Sequence, residues 1–414
     1  MVNEPQVQDE HRGTFMAKSL KIGIIGGGIG GVALAAALNQ RGIQAHLFER
    51  AAEFGEVGAG IQMTPNAVKV IKALGGESEL DKVGFLPEAL VGRDWDTAEE
   101  KFRIPLKADC PRLYGANFYH VHRADLHELL AGMIGDTKVT FGAQCTGVEQ
   151  NEQGAVAHFA DGSRFEGDLI VGADGVRSVV RHDLFGADDP QFTGHMCYRA
   201  VVPFDERPDF VPPEAAFWLG PKSHVVTYYV NGGKAVNIVA VHETEKWVEE
   251  SWNTLSSREA LLGDFPGWHS YIQQLFERVT EVYRWGLFDR DPMQTWTKGR
   301  ITLMGDAAHP MLPFLSQGAA MAIEDAYVLA KALDGLPGQL DKALAQYEAE
   351  RLPRTSRVQL EARERGKTYH LSSKEEQAKR DAEYREQQKK DPHAGGIKAN
   401  WVYAYNATDF TPVP

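Results

Sequence analysis

Three times along the chain a short run of aliphatic and β-branched residues gives way to glycine and small polar positions, then to a stretch with helical spacing. The first is residues 21–25 (KIGII), a glycine cluster through Gly31, a helix-forming run at 32–38 and a second apolar run at 45–48 that ends at Glu49. The second is 169–172 (LIVG) entering GADGVRS, with a helix from Ser178. The third is 301–304 (ITLM) entering GDAAHP, a Pro-Phe turn and a long alanine-rich helix opened by Gln317 and Gly318. A strand that leaves through a glycine turn into a helix predicts parallel βαβ layers, with the turns gathered at one edge of the sheet.

The pattern changes between these units. Residues 138–168 read as short strands, KVTFG, TGVEQ, AVAHFADG and SRFEGD, separated by turns. Residues 190–291 alternate with period two and are rich in aromatics (HMCYRAVVPF, AAFWLG, HVVTYYV, KAVNIVAVHE), with an NGG turn at 231–233, which predicts an antiparallel sheet. Helices are expected at 65–74, capped by Thr64, and over 121–130, with Asp125 in the first turn and Leu126, Leu129 and Leu130 on one face. Past Ala330 helices continue into a charged stretch at 374–391, read as a solvated helix, and the aromatic run ANWVYAYNATDF reads as docking back on the body. The expected fold class is α/β. A Rossmann-like domain in two parts (20–188 and 292–345) would carry an inserted, mostly antiparallel β domain (189–291), followed by C-terminal helices and tail (346–414).

Composition narrows the partners. A formal charge of −13 and a pI near 5.6 argue against nucleic acid or an anionic membrane surface. Cys110, Cys145 and Cys197 are odd in number and widely spaced, which fits free thiols in a reducing cytoplasm, and no metal is expected. Residues 1–20 are polar and do not read as a signal peptide, with Met16 as an alternative start. The glycine-broken run at 22–38 does not read as a membrane span.

The candidate chemistry begins at the first glycine turn. Gly26, Gly28 and Gly31 stand at G-x-G-x-x-G spacing, suited to a tight turn, a close approach of pyrophosphate and helix packing on the strand. Glu49, 23 residues beyond Gly26, stands near the distance of a ribose-binding carboxylate. The loop EVGAGIQ (56–62) suits a flat ring, and Arg123 suits a phosphate or a ring edge. Asp174 reads either as a helix cap or as an acceptor from backbone donors, with Arg177 and Arg181 facing outwards. Tyr198, Trp218, His224, Tyr228 and Tyr229 read as one aromatic sheet face, a wall for a flat ligand. His224 and Tyr228, four apart in a strand, share a face and form a candidate acid-base pair. Asp306 is a candidate acceptor from a polyol hydroxyl, and the helix opened by Gly318 offers free N–H groups to an electron-rich ring edge.

GGGIGG, GADGVRS and GDAAHP, in this order, resemble the signatures of the single-component FAD-dependent aromatic hydroxylases of the p-hydroxybenzoate hydroxylase fold, over residues 20 to about 360. FERAAEFGEVGAGIQ, HVVTYY and MAIEDA are most similar to the branch with salicylate 1-hydroxylase, 3-hydroxybenzoate 6-hydroxylase and 6-hydroxynicotinate 3-monooxygenase. The resemblance implies that Gly26, Gly28, Gly31, Glu49 and Arg50 hold the ADP half of FAD. It implies Arg123 and Asp306 at the pyrophosphate and ribityl chain, and Gly318 near the ring. It implies the Asp174-Gly175 turn with Arg177 at FAD and transient NADH or NADPH, since no second nucleotide fingerprint is present.

Pro313 matches the family proline whose carbonyl lies by the flavin, and His224, Tyr228 and Phe314 would meet a small aromatic substrate. The implied activity is ring hydroxylation with O2 and NAD(P)H through a C4a-hydroperoxyflavin, with loss of a carboxyl or acyl group where attack falls on the carbon bearing it. A monomer or homodimer is expected. PFLSQG departs from the PHMAQG of the hydroxynicotinate enzymes, putting Phe314 where they have histidine, so the substrate does not carry across.

Overall fold

The computed structural model describes residues 20–55, 59–187, 190–245, 254–392 and 400–414. The three expected leading strands lie side by side. Thr297–Lys298, Ile301–Leu303, Leu169–Gly172, Ile22–Ile25, Ala45–Phe48 and Lys138–Thr140 form one sheet in that order, parallel except at its first pair. Ile22–Ile25, Leu169–Gly172 and Ile301–Leu303 are buried throughout, as strands covered on both faces must be. Their adjacency sets the three glycine turns next to each other at the carboxyl edge, where open α/β sheets bind ligands. The helix Ile29–Gln40 packs against the helix Gly318–Gly335, close enough that a Cβ on Gly30 would lie 3.3 Å from that of Ala322.

Of the short strands expected over 138–168, Cys145–Gln150, Ala155–Phe159 and Arg164–Gly167 form a small antiparallel sheet, while Lys138–Thr140 joins the parallel sheet. The helix expected over 121–130 runs Arg123–Ala131, because residues 119–122 are drawn into a strand that pairs with Gly60–Met63.

The large sheet has eight strands, ordered Thr254–Ser256, Val282–Asp289, Gln191–Pro203, Ala235–Glu243, Ser223–Val230, Ala215–Gly220, Ala89–Asp94 and Glu100–Pro105. It is antiparallel except between Ala215–Gly220 and Ala89–Asp94. The last two strands come from outside the 189–291 segment, so those boundaries do not enclose the sheet. The four consecutive apolar or small residues of ALVG are buried on both faces and carry no period-two signal.

The pleat also corrects the single aromatic face. Tyr198, Trp218 and Tyr229 point to the side covered by the helices Arg258–Asp264 and Ser270–Glu277. Tyr228 points to the other side with Phe217, Val226 and Val241, and the parity of its strand sends His224 there too. This inner face looks onto Leu312, Phe314 and Tyr369.

The helix Leu340–Tyr369 runs past the nucleotide domain and under the inner face. Lys374–Lys390 follows. It was expected to be solvated, yet Arg380, Asp381 and Tyr384 are buried, and Asp381 pairs with Lys101 at 3.1 Å. The short helix Asn400–Ala404 docks as expected. Lys69 donates to the carbonyls of Tyr403, Ala404 and Tyr405 at 3.0 Å each, and Arg354 and Arg357 stack on Tyr405 and Trp401 at 4.0 and 3.8 Å. Among the described residues no helix is long and apolar enough to cross a membrane.

Candidate active site

The first glycine turn is built around three different demands. Gly26 sits at φ +107°, where a Cβ would lie 2.4 Å from the Ala173 carbonyl oxygen of the neighbouring turn. A Cβ on Gly31 would lie 1.9 Å from the Gly26 carbonyl oxygen, so helix and strand meet backbone to backbone. Gly28 has nothing within 4 Å of its Cβ position and forms the entrance to the helix Ile29–Gln40. That helix has neither a side-chain cap nor an acidic residue in its first turn, which leaves its leading N–H groups available to an anion. Glu49 stands beside the turn, accepting from Gly27 N–H at 2.7 Å and Ala51 N–H at 2.8 Å, while Arg50 is exposed. His127 is 2.6 Å from the Gly27 carbonyl oxygen through Nε2 and braces the same turn. Of the EVGAGIQ loop, residues 56–58 lie outside the described residues.

In the third turn Asp306 is exposed, and a Cβ on Gly318 would be 3.9 Å from its Oδ1, so the start of Gly318–Gly335 stands beside that carboxylate. The protein packed around Asp306 raises its pKa, with His309 and Arg123 opposing, which puts Arg123 within electrostatic reach of it. The helix Gly318–Gly335 likewise lacks a side-chain cap and an acidic first turn.

The second turn is engaged internally. Asp174 accepts from Ser178 Oγ at 2.5 Å and from Val180 N–H at 3.2 Å, so it braces the Ser178 cap and takes one backbone donor of the helix start. Arg177 is exposed. Arg181, expected to face outwards, is buried and donates to the Ala307 and Ala308 carbonyls at 3.3 Å, because the Ser178 cap starts the helix Val179–Phe185 on the side of the third turn.

A buried ionic network missing from the sequence reading holds these loops. Asp325 accepts from Gly305 N–H at 3.0 Å, His309 Nε2 at 2.5 Å and Arg351 Nε at 2.8 Å. Glu324 accepts from Asn66 at 2.7 Å and Arg354 Nε at 2.8 Å, and Asn66 also donates to Gln317 at 3.0 Å. Burial alone would raise the Asp325 carboxyl, but His309 and Arg351 hold it at about 2. Two adjacent acids in one helix followed by Arg351 and Arg354 were the available signal, since isolated charges are not buried unpaired.

His224 and Tyr228 share the inner face, but neither is open. Tyr228 packs on the His120 ring at 4.5 Å and over Gly60, whose Cβ would meet it at 2.6 Å. Burial keeps its hydroxyl protonated and lowers His120 to about 3. His224 bonds His370 through Nδ1 at 2.7 Å, and burial, aided by His195, lowers it to about 3. Pro313 opens a short turn that ends at Ser316, φ +55°, whose Oγ donates to Gln62 Oε1 at 2.8 Å. Phe314 is buried, its ring centre 5.5 to 5.7 Å from those of His224, His195 and His370.

Around Tyr228 the fold leaves buried polar atoms without hydrogen bonds: Gln62 Nε2, both nitrogens of His120 and Asn237 Nδ2. Asn237 lies opposite Tyr228 in register, and Gln62 opposite His120. Arg199, on the same face and close enough to act on Tyr228, stacks on Trp285 at 4.9 Å with its Nε unpartnered. Sequence reading singled out none of His120, Asn237 or Arg199, and reached Gln62 only as the end of the EVGAGIQ loop.

Comparison with known proteins bears on this geometry. The family described as FAD binding domain matches residues 19–362. A 3-amino-4-hydroxybenzoate 2-monooxygenase of Streptomyces cremeus is 39% identical over 399 residues, 96% of this chain and 99% of that protein. A 6-hydroxynicotinate 3-monooxygenase of Pseudomonas fluorescens is 39% identical over 350 residues, 83% of this chain and 90% of that protein. The solved structure of Klebsiella pneumoniae HpxO with FAD and uric acid has a TM-score of 0.83 at 27% identity, covering 94% of this chain and 98% of that one.

Proposed function

Because the chain belongs to the FAD-binding-domain family of aromatic-ring monooxygenases, we propose that it hydroxylates a small aromatic acid with a ring hydroxyl, either a phenolic acid or a hydroxypyridine. It is an FAD-dependent monooxygenase, and NAD(P)H is the reductant typical of its relatives. The observation that carries the substrate class is the group of unpartnered buried polar atoms around Tyr228, most of them donors, with the cation of Arg199 on the same sheet face. Buried polar atoms left without partners mark a place completed by a ligand. A flat ring carrying a carboxylate and a hydroxyl supplies both the negative charge and the acceptors these groups lack.

The residues at the three turns fit FAD. Gly28 leaves space in front of an uncapped helix start, which suits a pyrophosphate, and Glu49 and Arg50 flank it on the ribose side. Arg123, Asp306 and the start of Gly318–Gly335 would take the middle of the cofactor, with Pro313 beside its ring and the capped Asp174 turn supporting the far edge. Bound FAD, reduced by NAD(P)H, supplies an electrophilic oxygen from O2.

The chain's own contribution is to make the ring reactive towards that oxygen. In this reading Arg199 fixes the carboxylate, Tyr228 donates to the bound ring, His224 takes the hydroxyl proton, and Phe314 keeps water from the ring edge. Where the attacked carbon bears a carboxyl or acyl group, restoring aromaticity expels it.

The test is a panel of hydroxybenzoates, aminohydroxybenzoates and hydroxypyridine carboxylates added to the FAD-loaded protein, with NADH and NADPH consumption and product mass recorded. At least one acid should accelerate consumption and gain one oxygen atom. If none does either, the substrate class is wrong.

A further inference from the structure

The hydrogen bond of His224 goes to another imidazole. His224 Nδ1 lies 2.7 Å from Nε2 of His370, a residue 146 positions later. His224 and His370 are 2% and 4% exposed. The His370 ring centre lies 4.7 Å from that of His195, which is only half-buried. A nitrogen of His370, a nitrogen of His195 and a carboxylate oxygen of Glu243 lie within 4.8 Å of one another, and Glu243 is exposed. These side chains therefore step from the closed inner face to solvent in three moves.

We propose that His224, His370 and His195 form a three-imidazole relay that carries the proton of the substrate's ring hydroxyl out to solvent beside Glu243. The proposal rests on His224 meeting the substrate, as inferred above.

The hydrogen bonds at the outer end of the relay set its direction there. Thr193 Oγ1 donates to the Leu287 carbonyl at 2.9 Å, so towards His195 Nδ1, 3.0 Å away, it accepts. Nδ1 of His195 is then the protonated nitrogen and Nε2 carries the lone pair. Nδ1 of His370 is buried without a hydrogen bond, as a donor waiting for an acceptor would be. If His224 donates through Nδ1, its Nε2 is the base. In the forward step the substrate O–H breaks and its proton goes to His224 Nε2, leaving a phenolate. His224 passes its Nδ1 proton to His370 Nε2, His370 passes its Nδ1 proton to His195 Nε2, and His195 releases one to water. One proton leaves the ring and one reaches solvent, with no electron transferred.

The surroundings favour passage over storage. His224 is faced by Leu219 and Val241 from neighbouring strands, Phe314 from the loop and Tyr369 from the long helix, with His370 bonded to it and His195 acting on it electrostatically. Burial lowers its pKa to about 3, so it does not keep the proton it accepts. His370 feels His224, His195 and His242, and burial lowers it too. It also caps the carboxyl end of the 30-residue helix Leu340–Tyr369, whose partial negative charge favours a cation in transit. His195 lies in a β-bulge between Phe192 and Met196, beside Gly194 at φ +76°, an irregularity of the kind that re-aims a side chain.

The experiment mixes oxygen-free, FAD-loaded protein, without NAD(P)H, with each of four probe acids in weak buffer containing a pH indicator. The probes are 3-amino-4-hydroxybenzoate, 3-hydroxybenzoate, salicylate and 6-hydroxynicotinate. Binding is read from the flavin spectrum and proton release from the indicator. The relay predicts that wild type releases a proton as it binds. His370→Gln, which keeps a hydrogen bond but cannot shuttle, should bind with little change and release at least tenfold more slowly, and added imidazole should restore the rate. His195→Gln, at a half-buried position, should also slow release and serves if His370→Gln fails to fold. Wild-type release rates in a folded variant, or slowing that imidazole does not rescue, overturn the relay and leave the substrate reading intact. Failure of wild type to bind any probe overturns both.

Discussion

Two glycines three positions apart separate binding from folding. Gly28 sits at φ −71° and ψ −176°, open to any residue, and its Cβ would enter empty space. Without FAD, Gly28→Ala should cost little. Losing the glycine cap costs a few tenths to about 1 kcal/mol, and the stiffer unfolded chain returns about 0.4 to 1 kcal/mol. The same methyl group blocks close approach to the helix N–H groups, so FAD affinity should fall about a hundredfold, roughly 2.7 kcal/mol. An FAD concentration that is 100 times the wild-type Kd adds about 2.7 kcal/mol to wild-type stability, but only about 0.4 kcal/mol to a variant binding a hundredfold more weakly.

Gly31→Ala is the reverse case. Its Cβ would stand 1.9 Å from a backbone oxygen, well over 1 Å inside ordinary contact, with no flexible side chain to move. Strand and helix must separate, at a cost of roughly 3 kcal/mol or more. Urea denaturation of the FAD-free proteins and flavin-fluorescence titration read the two quantities separately. Wild-type FAD affinity in Gly28→Ala, or wild-type stability in Gly31→Ala, refutes the assignment of one glycine to the cofactor and the other to packing.

Arg351→Met leaves Asp325 and part of Glu324 uncompensated in the interior and should cost about 3 to 5 kcal/mol in urea denaturation; a loss under about 1 kcal/mol would mean that the two acids find other partners. His120 and His224 fall from the ordinary 6.5 to about 3 in the fold, so between those values the unfolded chain binds protons that the native chain refuses. Stability must then drop as pH falls below 6.5, by roughly 3 kcal/mol for the pair by pH 5. A flat urea midpoint over that interval, or an unchanged slope in His120→Phe, excludes this origin. Arg199→Gln should raise KM for a carboxylated substrate at least about tenfold, about 1.4 kcal/mol, while sparing an uncharged phenol. Equal losses for both would assign Arg199 to packing on Trp285.

The nucleotide half was legible because its signals are local. Gly26, Gly28 and Gly31 announce a turn whose geometry is fixed by backbone sterics, and three apolar strands buried on both faces have nowhere to go but the sheet centre. What failed to show was set by pairing between distant segments. Ala89–Asp94 lacks alternation because both its faces are covered, and Tyr198 and Trp218 parted from Tyr228 because register, invisible in one strand, decides which side a residue takes. Tyr229 parts from its neighbour Tyr228 by simple alternation, which the sequence does show. Asp174 was legible as an acceptor at the helix start, while the cap itself is Ser178. Arg181 and the Glu324–Arg354 network were opaque for another reason: a charge on a helix reads as solvated until the neighbour that neutralises it is known. His370 could not be suspected, since three strands of the substrate sheet and the whole third turn separate it from its partner His224.

Lys69 closes on three carbonyls that follow it by 334 to 336 residues, and Asn66 closes on Glu324, 258 residues on. A ribosome delivers the helix Pro65–Ala73 early and its clasp almost last. That helix therefore meets its final partners only once the tail has been made, so its docking is a late event set by long-range contacts rather than by the intrinsic speed of its own folding.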